Sequence, residues 1–249
     1  MQQELPDVQT VDAIAIAQPP GLTPPRERPS LELVTGERDA RPAGLLVAAR
    51  WQLAFKRSID VAVSVAVLLL LLPVLVLIAA AVRLTSWGPA LYVQERIGRD
   101  GRPFRMYKFR SMRVRHDLTR EELLALNEFS GPMFKIRRDP RLTRVGRLLR
   151  ASSLDELPQL LNVLRGDMSL VGPRPPVPEE YAEFGPRERG RFCVKPGLTC
   201  IWQVSGRSDL DYDTWVEMDL EYISTWTLRR DFGLLVRTIP AVITARGAY

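Results

Sequence analysis

An apolar stretch from Val61 to Val82 constrains this chain more than any other feature, since only Ser64 and Pro73 interrupt it. As one helix, its 22 residues would be about 33 Å long at 1.5 Å per residue, enough to cross a bilayer. Pro73, near the middle, removes a backbone hydrogen bond and kinks the helix. The sequence therefore predicts a membrane segment that bends at Pro73.

The residues that flank this stretch are basic on both sides. Arg50, Lys56 and Arg57 precede it, and Arg83 and a cluster from residue 96 to 115 follow it. Basic flanks prefer the cytoplasmic face of a membrane, so both ends are expected on the same side. A re-entrant helix that enters and leaves by one leaflet satisfies both flanks. A kinked single span is the alternative, and from these features alone the two are about equally favoured.

Composition excludes several classes of protein. The mean hydropathy of −0.07 is too low for a multi-span transporter. One histidine and two cysteines make a histidine-based metal site, a catalytic triad or a disulfide framework improbable. Any metal would be held by carboxylates, which favours Mg²⁺ or Mn²⁺. Residues 96–150 contain 16 basic and 6 acidic side chains, a block that attracts phosphates or anionic lipid head groups.

The chain divides into three segments of different character. Residues 1–45 are proline-rich without apolar periodicity, which predicts a disordered tail. Residues 46–86 form the predicted membrane segment, and residues 87–249 form a small cytoplasmic domain associated with the membrane. We expect an α+β fold that is mostly helical, with strands at 91–93, 104–109 and 194–206, an irregular loop at 172–176, and helices at 118–128, 153–164, 179–192 and 213–245.

Two adjacent carboxylates, Asp155 and Glu156, are the strongest candidates for chemistry. Ser153 with Glu156 three residues later also fits a capping box, so a purely structural role is favoured from spacing alone. In either role both carboxylates are expected at a helix N-terminus, where the dipole favours their ionised form. An ionised aspartate can act as a nucleophile, and a neighbouring glutamate can hold a divalent cation.

Basic residues in three places could bind phosphate. Arg174 lies in a loop made rigid by glycine and proline, and a guanidinium binds phosphate in a bidentate way. A first group inside the basic block consists of Lys108, Arg110 and Arg150. A second anion site could be formed by Arg191, Lys195 and Arg207. The alternative for each group is an ordinary solvated face.

Taken together and in order, these motifs resemble the bacterial sugar transferases, the monotopic phosphoglycosyl transferases that begin lipid-linked glycan assembly. The resemblance covers about residues 50–249. It rests on Lys56 to Asp60, the segment broken by Pro73, Gly88-Pro89, Gln94 to Gly98, Tyr107 to Met112, Ser153 to Leu160, Gly166 to Pro175, and Lys195 to Thr199.

The resemblance implies an enzyme that moves hexose 1-phosphate from a UDP-sugar to undecaprenyl phosphate through a covalent aspartyl intermediate. It further implies that Asp155 is the nucleophile and that Glu156 holds Mg²⁺. The resemblance also implies that the substrates are bound by Lys108, Arg110, Arg150, Arg174, Arg191 and Arg207. Asp231 matches an acidic position of the family to which we assign no role beyond substrate binding. The segment ending at Tyr249 is similar to members that handle UDP-glucose or UDP-galactose for exopolysaccharide.

The same resemblance places the protein at the cytoplasmic face of the bacterial inner membrane, where a lipid acceptor is confined to the bilayer surface. A homodimer stays open. The main alternative is a non-catalytic scaffold of a polysaccharide assembly complex. Nucleic-acid binding would explain the basic block but not the apolar segment, so no nucleic acid is expected. A glycosyltransferase that moves sugar alone would release UDP, whereas phosphosugar transfer releases UMP.

Overall fold

The computed structural model describes residues 48–114, 118–128, 136, 138–205 and 211–243. The tail predicted for residues 1–45 and the site residue Arg207 therefore lie outside the described residues. The described part is mostly helical with a few short strands, as predicted for an α+β fold. Its α-helices are α1 (Arg50–Leu70), α2 (Leu72–Thr85), α3 (Arg120–Ala125), α4 (Arg144–Ala151), α5 (Leu160–Arg165), α6 (Pro178–Ala182), α7 (Pro186–Arg189), α8 (Ile201–Ser205), α9 (Tyr212–Ser224) and α10 (Leu228–Ile243).

The apolar stretch forms two helices, α1 and α2, that meet at an angle of 64°. The break lies at Leu71, and Pro73 sits in the first turn of α2, where its missing N–H leaves no helical bond unmade. The predicted bend near Pro73 is thus confirmed. Among the described residues no single helix is long and apolar enough to cross a membrane, whereas this bent pair is, by length and composition.

A β-hairpin follows the bent pair. Strands β1 (Leu91–Ile97) and β2 (Pro103–Phe109) run antiparallel, in a register that pairs Leu91 with Phe109. The connecting turn contains Asp100 and Gly101, both with positive φ, at 58° and 72°. The predicted strands and turn are confirmed, because alternating apolar residues on both sides of a glycine-containing turn specify a hairpin locally.

A second, two-stranded pair is parallel and joins distant parts of the chain. Strand β3 (Ser169–Val171) pairs with β4 (Gly197–Thr199). The backbones pass so closely that a Cβ on Gly197 would lie 2.0 Å from the amide nitrogen of Gly172. The long strand predicted for 194–206 is wrong, because only three residues pair and the following apolar residues pack as helix α8.

Two predicted helices are each divided. The helix expected at 179–192 splits into α6 and α7, because Pro186 cannot occupy a helix interior and instead begins the second helix. The helix expected at 213–245 splits into α9 and α10 between Ser224 and Leu228. The largest core cluster joins α5, β3, α9 and α10, and its most buried members are Val163, Met168, Val171, Tyr222 and Ile223.

Candidate active site

The two candidate carboxylates lie in a short 3₁₀ segment, Leu154–Gln159, between α4 and α5. The predicted capping box is wrong: Ser153 has a left-handed backbone with φ of 56°, and its side chain caps nothing. Pro158 inside the segment has no N–H to donate, which favours a tight turn over a regular helix start. Asp155 and Glu156 are therefore presented by a 3₁₀ turn and not by an α-helix N-terminus.

The surroundings of these carboxylates drive their pKa values apart. Asp155 is buried, and burial together with the charge of Glu156 raises the pKa of Asp155 to about 6. Burial also acts to raise the pKa of Glu156, but Lys108 and then Arg174 outweigh it, and that pKa is lowered. The predicted shift toward the ionised form therefore holds for Glu156, whereas the surroundings of Asp155 shift its pKa the opposite way. Paired groups with opposed shifts are typical of catalytic sites.

Lys108 provides the direct counter-charge to this pair. It projects from β2, and its Nζ lies 2.7 Å from Oε1 of Glu156. The fully buried Asn162 fixes β2 here, because its amide oxygen accepts from the Tyr107 amide and its amide nitrogen donates to the Arg105 carbonyl. The Asn162 side chain thus takes the place of a neighbouring strand and sets the position of Lys108.

Arg150 brings a second cation to the site. It lies on the last turn of α4, its Nε donates to Oγ of Ser111 at 3.1 Å, and its charge lowers the pKa of Asp155. Helix α4 can come this close because residue 146 is glycine, whose added Cβ would lie 1.8 Å from the Ser111 carbonyl oxygen.

Arg174 brings a third cation, on the irregular loop predicted for residues 172–176. Its guanidinium is one-third exposed and makes a 3.7 Å ion pair with the buried Glu180. Its charge also reaches Glu156, whose pKa it lowers. The long ion pair leaves part of the Arg174 guanidinium accessible to an anionic ligand.

Arg96 is a site residue that the sequence analysis did not single out. It is buried, donates to the Pro175 carbonyl at 3.0 Å and to the Gln94 side chain at 2.7 Å, and so holds the Arg174 loop. Burial and the charge of Arg174 lower its pKa to about 10. Its signal in the sequence is the motif Gln94 to Gly98, which belongs to the family resemblance.

Arg110 does not point its donors at this site. Its guanidinium donates to the carbonyls of Trp87 and Pro89, the latter at 2.7 Å, and to Ser86 and Gly88, just after α2 ends. Because backbone carbonyls occupy all three nitrogens, the structure does not support the predicted phosphate contact. Arg110 stabilises the exit from the bent pair instead.

Arg191 and Asp231 are also engaged elsewhere. Arg191 is 3% exposed and pairs with the buried Asp219 at 3.2 Å, so it is not a surface anion site. Asp231 pairs with Lys56 of α1 at 2.5 Å and accepts a hydrogen bond from the Tyr222 hydroxyl at 2.7 Å. Both residues are therefore engaged in ion pairs within the protein, and the structure does not support their predicted contacts with substrate.

The donor set of Asp155 and Glu156 fits Mg²⁺. Within the described ranges no group of three or more His, Cys, Asp or Glu side chains could hold a metal ion. Mg²⁺, however, usually binds through one or two carboxylates, with water and substrate phosphates completing its shell. Two adjacent carboxylates, one of them held by Lys108, are sufficient for that mode.

The fold and the site define a class: an α+β protein with an apolar bent helix pair and a phosphate-compatible site of two acids and three cations. Residues 51–245 match the family model for the bacterial sugar transferases, and the chain belongs to that family.

Several relatives from other bacteria are similar to it. An undecaprenyl-phosphate galactose phosphotransferase of Salmonella typhimurium is 48% identical over 166 residues, covering 65% of this chain and 35% of the relative. The chain thus spans about a third of that relative's length. The UDP-glucose:undecaprenyl-phosphate glucose-1-phosphate transferase of Caulobacter vibrioides is 42% identical, covering 89% and 80% of the two chains. The exopolysaccharide production protein ExoY of Rhizobium meliloti is also 42% identical, covering 78% and 88%.

Proposed function

We propose that this protein transfers hexose 1-phosphate from a UDP-sugar to undecaprenyl phosphate through a covalent intermediate on Asp155, as a first step of exopolysaccharide or other surface glycan assembly. One observation carries the proposal: a buried aspartate with a raised pKa lies beside a glutamate whose charge is compensated by Lys108. The names of the relatives support the reaction class, and they make galactose and glucose the favoured hexoses.

In the first half-reaction, a carboxylate oxygen of Asp155 attacks the β-phosphorus of the UDP-sugar. A bond forms between that oxygen and phosphorus, the phosphoanhydride bond breaks, and UMP leaves with the electron pair. With a pKa of about 6, Asp155 is largely ionised at neutral pH and more basic than an ordinary carboxylate. Lys108, Arg150 and Arg174 supply positive charge where the attacking and leaving groups are both anionic.

In the second half-reaction, a phosphate oxygen of undecaprenyl phosphate attacks the same phosphorus. The new phosphoanhydride bond forms as the bond to Asp155 breaks, which returns the carboxylate and yields undecaprenyl diphosphate hexose. No proton has to be removed from an ionised lipid phosphate, which agrees with a site rich in carboxylates and cations. The exposed part of Arg174 is suited to hold the phosphate of either substrate.

Glu156, beside the nucleophile Asp155, is the residue that would hold Mg²⁺. When bound, the ion would neutralise charge on the diphosphate. Lys108 keeps Glu156 ionised and therefore able to act as a ligand. The bent pair of α1 and α2, with basic residues at both ends, supports a re-entrant placement from the cytoplasmic face of the inner membrane.

The test is to incubate purified protein with Mg²⁺ and UDP-glucose or UDP-galactose without lipid, and to measure intact mass and peptide masses. We expect a hexose-phosphate adduct on Asp155 and release of UMP. Asp155→Asn should abolish the adduct, whereas Asp100→Asn, an exposed aspartate on the hairpin turn, should form it normally. UDP release, or UMP release on lipid addition without any adduct in its absence, would contradict the two-step route.

A further inference from the structure

Helix α4 carries more arginines than the proposed reaction uses. From residue 138 to 150 every third residue is arginine, and the single acidic residue between them, Asp139, is bound by Arg141 at 2.6 Å. Arg150 faces the candidate active site. The remaining two arginines on α4, Arg144 and Arg147, have no role in the site.

One face of α4 is fixed to the end of the bent pair. Val145 and Leu149 pack against Ile78 and Val82, which lie in the last two turns of α2. Leu149 and Val82 are among the buried core residues. This packing places α4 beside the C-terminal end of α2.

The opposite face of α4 is exposed and of mixed character. Leu148 is 72% exposed, and the exposed Arg144 and Arg147 flank it. Neither arginine side chain makes an ion pair or hydrogen bond within the part of the chain that the structure describes. Residues four apart in a helix share a face, so Arg144 and Leu148 point the same way. An apolar side chain between free cations is typical of a helix that lies in a membrane interface.

The end of α2 indicates where that interface lies. Leu84 and Trp87 are 86% and 78% exposed, and the exposed Arg83 stands beside them. Tryptophan and arginine at the end of an apolar segment favour the head-group region of a bilayer. Because α4 packs against these last turns of α2, its exposed face is expected at the same depth in the bilayer, in the head-group region.

We propose that Arg144, Arg147 and Leu148 form a binding surface for anionic phospholipids of the leaflet that holds α1 and α2. The two guanidinium groups bind lipid phosphates, and Leu148 enters the boundary of the acyl chains. This inference rests on the proposed membrane association. Lipid contact with α4 then also affects the position of Arg150 in the candidate active site, because Arg150 lies on the same helix, one turn beyond Arg147.

The test places a fluorescent label at residue 148, in the full chain with Leu148→Cys and with the partly exposed Cys193 replaced by alanine. The protein is reconstituted in vesicles of phosphatidylcholine with one-fifth phosphatidylglycerol. Two preparations are compared, one with brominated phosphatidylglycerol and one with the same mole fraction of brominated phosphatidylcholine. In each, the brominated lipid quenches the label on contact. The ratio of the two quenching efficiencies measures the preference for anionic lipid. We expect a ratio of about five, the factor expected for one arginine at an anionic surface.

The double variant Arg144→Gln/Arg147→Gln should lower the ratio to about one, whereas the matched variant Arg102→Gln/Arg105→Gln, on the hairpin, should leave it unchanged. A ratio of one in the parent protein, or an unchanged ratio in the α4 variant, overturns the proposal. Vesicle flotation separates the two hypotheses. A protein that floats with an unquenched label refutes only the α4 surface, and a protein that does not float refutes membrane association as well.

Discussion

Replacing Lys108 with methionine tests whether charge compensation sets the reactivity of Asp155. Lys108 lies 2.7 Å from Glu156 and is the largest influence that lowers the pKa of either carboxylate. Methionine keeps much of the side-chain length but removes the cation. Both carboxylate pKa values should therefore rise, because the loss of a nearby positive charge disfavours the ionised form.

The size of the shift follows from distance and exposure. Unit charges about 4 Å apart interact by about 4 kcal/mol at an effective dielectric of 20 and about 1 kcal/mol in water. The Lys108 and Glu156 side chains are 24% and 29% exposed, which favours the lower part of that range, about 1–2 kcal/mol. Since about 1.4 kcal/mol corresponds to one pKa unit, the apparent pKa of the pair should rise by about one unit.

The assay is the pre-steady-state release of UMP between pH 5 and 8.5, with Arg105→Gln on the same strand as a control. The wild-type rate should rise with pH with a midpoint at about 6 and level off above about 7, because ionised Asp155 is the proposed reactive form. At pH 6 the variant should lose about fivefold from ionisation alone, and at pH 8 almost nothing from this cause. A midpoint that does not move, or that falls, would refute the assigned electrostatics even if the overall rate dropped.

Four further variants test the framework. Asn162→Leu should lower the free energy of unfolding by about 2–5 kcal/mol, measured by urea unfolding in detergent, because the Tyr107 amide and the Arg105 carbonyl lose their partner. Arg110→Met should cost about 3 kcal/mol and expose residues 86–89 to limited proteolysis, and an unchanged cleavage pattern would contradict its role at the end of α2. Lys56→Met should cost about 3–5 kcal/mol, and Lys56→Met/Asp231→Leu should recover most of it, because only the single variant leaves a buried charge unpaired.

The features that the sequence predicted well are those encoded locally. The bend follows from Pro73 within an apolar stretch, and the hairpin follows from alternating residues around a turn with Gly101. Asp155 is a candidate because two adjacent carboxylates precede an apolar segment, and its role stays a prediction. In each case the residues that determine the structure lie within a few positions of one another.

The roles of individual cations were harder to predict, because their partners are distant in sequence. Arg191 meets Asp219, 28 residues away, and this buried pair has no local signature. The pKa of Asp155 is raised by burial and by Glu156 and is opposed by Lys108, and neither the burial nor the approach of Lys108 has a local signature in the sequence. Arg96 was missed for the same reason, since its contact with the Pro175 carbonyl spans 79 residues.

The contacts between α1 and the core have a consequence for protein engineering. On one turn of α1, Lys56 binds Asp231, Arg57 donates to the carbonyls of Val163 and Leu164, and Asp60 accepts from the amide of Leu170. A truncated chain that begins after α2 would lose these partners and leave a carboxylate and several carbonyls exposed inside the former interface. The part of the chain after α2 is thus not a module separable from α1, and removing the apolar helices requires redesign of that interface instead of deletion.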